Sequence, residues 1–115
     1  MWTTLSQHPS TAVPLSQTAI ELGWFYNCKN LKNIVIPDNI TYIGEASFHS
    51  SGLESVTIPS SVAGMYHSAF WECESLQSVT INTNAITTYA DYFTDCPIAT
   101  VTYGAGVLSE DHRNA

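Results

Sequence analysis

Phe48-His49-Ser50-Ser51-Gly52-Leu53-Glu54-Ser55-Val56-Thr57-Ile58-Pro59 is the stretch whose reading decides the fold. Leu53, Val56 and Ile58 carry the apolar alternation of a short strand with one buried face. Pro59 follows and has no amide hydrogen to offer a ladder. Twelve residues with one buried face cannot make a core alone, so the string needs copies of itself to stack upon.

The copies are present on both sides. Upstream lies Phe25-Tyr26-Asn27-Cys28-Lys29-Asn30-Leu31-Lys32-Asn33-Ile34-Val35-Ile36-Pro37. Downstream lie Phe70-Trp71-Glu72-Cys73-Glu74-Ser75-Leu76-Gln77-Ser78-Val79-Thr80-Ile81-Asn82 and Phe93-Thr94-Asp95-Cys96-Pro97-Ile98-Ala99-Thr100-Val101-Thr102-Tyr103-Gly104. The phenylalanines are 23, 22 and 23 residues apart. Between the strings, Ile36, Ile40, Ile43 and Phe48 match Ile58, Val62, Met65 and Phe70, and with a one-residue shift Ile81, Ile86, Tyr89 and Phe93. Val13, Pro14, Ile20 and Phe25 fit the same frame as a degraded copy.

A fixed period of this length marks a solenoid, in which each unit is one coil and stacking fills a continuous core. The expected fold is an α/β-type repeat solenoid, strand-rich with little helix. It has a short parallel sheet and about four coils. One domain spans residues 1–115: a degraded repeat over 1–24, clear repeats over 25–103 and a polar tail over 104–115.

The string Ser55-Val56-Thr57-Ile58-Pro59-Ser60-Ser61-Val62, followed by Phe70 and Cys73, resembles the BspA-like (Treponema-type) leucine-rich repeat. Residues 13–104 follow that pattern, with Ser51 in place of cysteine and Asn82 and Gly104 in place of proline. The resemblance implies a curved leucine-rich repeat superhelix of the kind found on bacterial surface proteins and in some protozoa. It implies adhesion, contact with host proteins or other protein interaction, without fixing a ligand.

Composition narrows the partners. Three Lys plus Arg against ten Asp plus Glu give a formal net charge of −7, and only 11% of residues are charged. Lys29, Lys32 and Arg113 form no basic cluster, so nucleic acid is not an expected partner. No apolar run reaches the ~18 residues that a spanning helix needs. The start, Met1-Trp2-Thr3-Thr4, has no basic or apolar leader character. Extracellular or cell-surface placement is therefore expected only as part of a larger secreted protein.

Chemistry-bearing residues are sparse. Cys28, Cys73 and Cys96 each stand three residues after a repeat phenylalanine, so they share one structural position and are expected to be packing thiols. A bridge between Cys73 and Cys96, one coil apart, is the lesser alternative. No Cys-x-x-Cys pair, nucleophile elbow, phosphate loop or metalloprotease motif occurs, so no catalytic residue, metal or cofactor is expected. Asn39-Ile40-Thr41 matches a glycosylation sequon, a tripeptide that arises often by chance.

Binding surfaces are the better candidates. Tyr26, His49 and Trp71 follow successive phenylalanines and form one column about 5 Å per step in a parallel stack. This column is either a binding stripe or a cover for the hydrophobic floor. The outward sheet face carries Asn33, Ser55, Ser78 and Thr100 in one column and Val35, Thr57, Thr80 and Thr102 in another. A protein or glycan could dock there, although β-branched residues also simply suit strands. Ile98, Val101 and Tyr103 keep the apolar pattern at the last coil, while His8, Thr11 and Val13 weaken it at the first. Copies of the chain are therefore expected to associate through the Tyr103 end, unless further polypeptide covers it.

Overall fold

The structure, a computed structural model, describes residues 13, 16–85, 92–104 and 107. Ile86, Tyr89, His8, Thr11 and the acidic tail residues Glu110 and Asp111 lie outside them.

The repeats stack as parallel coils with a sheet on each side. One sheet contains β3 (Ser55–Ile58), β5 (Ser78–Ile81) and β6 (Thr100–Tyr103). Its register aligns Ser55 with Ser78 and Thr100, and Ile58 with Ile81 and Tyr103. Alternation of the β-branched residues puts Val56, Ile58, Val79 and Ile81 in the core. The other sheet is built from two-residue strands, β1 (Ala19–Ile20), β2 (Tyr42–Ile43) and β4 (Gly64–Met65). They align Ile20, Ile43 and Met65, all buried. A 3-10 turn at His67–Phe70 leads from β4 to the phenylalanine corner.

The corner holds the stack together. Phe25, Phe48 and Phe70 are fully buried, and Phe93 nearly so. Their rings stack with centroids 4.8, 4.8 and 5.2 Å apart, within the favourable range for offset stacking. The backbone makes the same step. Phe25 N–H donates to Ser47 O at 2.6 Å and Phe48 N–H to Ala69 O at 2.7 Å. Two residues after each phenylalanine the chain turns left-handed, at Asn27 (φ 60°), Ser50 (62°), Glu72 (56°) and Asp95 (62°). That conformation costs a side-chain-bearing residue about 1–2 kcal/mol. It is held because it aims three of these amides at the next coil: Asn27 to His49 O at 2.8 Å, Ser50 to Trp71 O and Glu72 to Thr94 O at 2.9 Å.

The cysteine column completes this corner, as its equivalent spacing predicts. Cys73 donates its thiol to Phe48 O at 3.1 Å and Cys96 donates to Phe70 O at 2.9 Å, each reaching back one coil. Ser51 takes the cysteine position in its coil, with its hydroxyl 3.5 Å from the Cys73 sulfur. All three cysteines are free thiols; Cys28 and Cys73 are buried and Cys96 is half-buried. The interaction with the Cys96 thiol one coil on holds Cys73 below the ordinary thiol range, at about 7, against the opposing effect of burial. The same interaction, reinforced by burial, pushes Cys96 above the ordinary thiol range.

One sequence expectation fails. Leu31, Ile34 and Ile36 have the same alternation as their copies, yet residues 31–37 form no strand. Lys32 O still accepts Glu54 N–H at 2.9 Å, as Glu54 O accepts Gln77 N–H at 3.1 Å one coil later. Beyond that bond the first coil leaves the sheet. At its far edge, Asn82 N–H donates to Ile58 O at 2.9 Å and Gly104 N–H to Ile81 O at 3.0 Å. The equivalent donor for Ile36 O would be residue 59, a proline without an amide hydrogen. The missing bond at the far edge of this segment therefore follows from the residue one coil away.

Two predictions test this arrangement. Phe70→Ala removes a ring packed on both faces and should cost about 3–5 kcal/mol. With roughly 5–10 kcal/mol of total stability in a domain this size, the variant should melt far below wild type in thermal circular dichroism. A wild-type melting curve would contradict the stacked core. For the thiols, melting with and without reductant should coincide, because packing thiols lose nothing on reduction. A fall of many degrees would reveal a structural disulfide, whose loss usually costs 2–5 kcal/mol.

Candidate functional site: the outward sheet face, the ring column and an inter-coil cleft

The parallel register gives the outward face its order. Ser55, Ser78 and Thr100 are aligned partners, as are Thr57, Thr80 and Thr102. Ser55, Thr57, Thr100 and Thr102 are exposed, while Ser78 and Thr80 are half-buried. Both columns therefore present hydroxyls at the strand spacing of about 4.8 Å. Asn33 joins the first column through the Ser55 hydroxyl, which donates to Asn33 Oδ1 at 3.4 Å. Val35 stands beyond Thr57 on the first coil and is 82% exposed, far more than a β-branched side chain in a packed sheet.

The ring column lies at the corner. Tyr26 and His49 contact with centroids 5.5 Å apart and planes tilted by 45°. Tyr26 is exposed, whereas His49 and Trp71 are half-buried. His49 Nδ1 shares a hydrogen bond with Ser50 Oγ at 2.9 Å, and the Ser50 amide is fixed on Trp71 O. The left-handed residue after each ring thus sets the spacing of the column.

At the β6 end, Ile98, Val101 and Tyr103 are half-buried and pack against the core from one side. The inward residues of β6 are less covered than those of β3 and β5.

Two surfaces were not anticipated. Tyr42 on the second sheet and Tyr66 just after it are exposed, and His67 of the 3-10 turn meets Tyr92 edge to face at 5.0 Å. Gly64 lies under the Tyr42 ring. Strands of two residues carry too little periodicity to announce such a face. The second surface is a cleft of about 530 Å³ where the first coil parts from β3, between Ile34–Asp38 and Thr57–Ser60, with Asn82 at one end. Its signal is in the sequence: proline at position 59 where later coils have Asn82 and Gly104.

Among the described residues, no group of three or more His, Cys, Asp or Glu is placed to hold a metal ion. No described helix is long and apolar enough to cross a membrane. Every buried side-chain nitrogen and oxygen among them is hydrogen-bonded, including Ser47 to Gly44 O and Thr83 to Val62 O. The polar side chains of the described interior are thus engaged in structural hydrogen bonds.

No curated protein and no solved structure is similar enough to this chain to count as a match. A family model does match: the BspA type leucine rich repeat region, in 6 copies over residues 5–111. That count exceeds the four clear units of the sequence, and the match begins inside the degraded upstream segment. The stacked phenylalanines, the aligned Ser-Val-Thr-Ile strands and this match lead to one assignment: the chain belongs to the BspA-type leucine-rich repeat family.

Proposed function

We propose that the chain is a non-catalytic binding module of the surface or adhesion type, which engages a protein or glycan ligand. The observation that carries this reading is the register of the sheet, which lines up Ser55, Ser78 and Thr100 beside Thr57, Thr80 and Thr102. A ligand spanning several coils meets the same group at each step. Weak contacts then add along the stack, and water-mediated bonds to hydroxyls contribute to them. Tyr26, His49 and Trp71 supply the larger anchoring groups at the edge. The place of action on this reading is a cell surface or the extracellular space, as part of a larger secreted protein.

A second reading is favoured by one observation, the half-covered apolar residues Ile98, Val101 and Tyr103 at the end of the sheet. In that reading copies of the chain pack end to end or in a ring and protect this edge.

The two readings separate in solution. Trp71→Ala should abolish attachment to a ligand-bearing surface and leave the circular dichroism spectrum unchanged. Unfolding of this variant would make the column a structural cover and sink its role as an anchor. For self-association, light scattering across micromolar concentrations should detect a concentration-dependent assembly that Tyr103→Asp disperses. A stable monomer with no response to Tyr103→Asp would eliminate the second reading.

A further inference from the structure

The cleft between the first coil and β3 has chemistry that the open sheet face lacks. It is lined by Ile34 and Ile36, which point toward the core, and also by Val35 and Thr57, which point outward. The opening therefore passes between two coils rather than resting on one surface. Its cause is a missing bond. Among the described residues no donor reaches Ile36 O, because Pro59 occupies the position from which Asn82 and Gly104 donate in the later coils. An acceptor in such a position carries a desolvation penalty if water is excluded and nothing replaces the donor. Apolar surface lies beside it in Ile34, Val35 and Pro59, and Asp38 is the one ionisable side chain of the lining.

We infer that this cleft binds an extended peptide segment carrying a lysine or arginine, with the peptide backbone alongside β3 and the cation at Asp38. This inference rests on the reading of the chain as a protein-binding module and names the site and the partner's chemistry. Each wall selects part of the occupant. Ile36 O calls for an N–H donor, which an extended backbone supplies by strand addition. Ile34, Val35 and Pro59 suit a hydrocarbon stem, and a lysine or arginine has such a stem below its charge. Asp38 attracts that charge, in a chain whose acids outnumber its Lys plus Arg ten to three. A purely apolar ligand would leave the Ile36 carbonyl without a donor and draw nothing from the exposed Asp38 carboxylate. A nucleic acid would bring phosphates toward a carboxylate.

The test uses the full chain, isotopically labelled, and two pools of acetylated and amidated pentapeptides. One pool has lysine fixed at the centre and Val, Thr or Ile elsewhere; the other has glutamate at the centre. The lysine pool should shift the amides of Ile36, Asp38 and Ser60 saturably, and the glutamate pool should bind roughly tenfold more weakly or not at all. Losing one charge-assisted contact should weaken the lysine pool at Asp38→Asn by about tenfold, near 1.4 kcal/mol. Pro59→Asn restores the donor that Asn82 provides one coil later, so it should close the cleft and remove binding without lowering the melting temperature. Equal shifts with both pools, absence of shifts at millimolar peptide, or indifference to Asp38→Asn would overturn the inference. Glu74→Gln, at an exposed acid outside both the cleft and the ring column, should leave binding of the pool intact. Because the titration reads only the cleft amides, failure of the cleft is distinct from failure of the ring column in the attachment assay.

Discussion

No coil of this protein can satisfy its own backbone, and everything else in the structure follows from that constraint. A buried carbonyl needs a donor. Here the donor comes from the preceding coil at the phenylalanine corner and from the next coil at the entrance and exit of the sheet, and a cysteine thiol of the next coil serves the Phe48 and Phe70 carbonyls. The left-handed residues are tolerated because they serve this requirement: Asn27, Ser50 and Glu72 give up local stability to aim an amide across the gap. The phenylalanine rings, stacked at nearly the strand spacing, supply the apolar burial that makes the crossing worthwhile.

The same constraint explains where the stack is imperfect. Proline ends a strand cleanly within its own coil but withholds a donor from the coil before it. Pro59 therefore acts on Ile36, and the consequence is an unpaired segment, an exposed Val35 and a cleft. Asn82 and Gly104 depart from the proline of the repeat and restore the bond, and β3, β5 and β6 form a continuous sheet. The departures at Asn82 and Gly104 thus close those steps of the sheet, and the step that keeps its proline stays open. At Gly52 the shortened loop brings the coils so close that a Cβ would collide with Lys29 O, so glycine is required there.

Much of this was legible in the sequence. The period placed Phe25, Phe48, Phe70 and Phe93 in one buried column, and the alternation within Ser-Val-Thr-Ile assigned the inward and outward faces. The equal offset of Cys28, Cys73 and Cys96 from the phenylalanines predicted their shared position. What escaped depended on neighbours rather than on local pattern. Residues 31–36 carry the same alternation as their copies, and what sets them apart is Pro59, at the position that donates to the equivalent carbonyl in the later coils. The second sheet has strands of two residues, too short for any period to register. The left-handed turns fall on Asn27 and Asp95, which favour that conformation, but also on Ser50 and Glu72, which do not advertise it.

The central claim is that the coils are joined by their backbones at the phenylalanine corner as firmly as within the sheet. Residue-resolved amide hydrogen exchange tests it most directly. The corner amides of Phe48, Asn27, Ser50 and Glu72, which lie outside regular strands, should exchange as slowly as Gln77 and Ala99 at the sheet and open with the same free energy. Exchange of the corner amides at the rate of exposed loops, with only the sheet protected, would contradict the account.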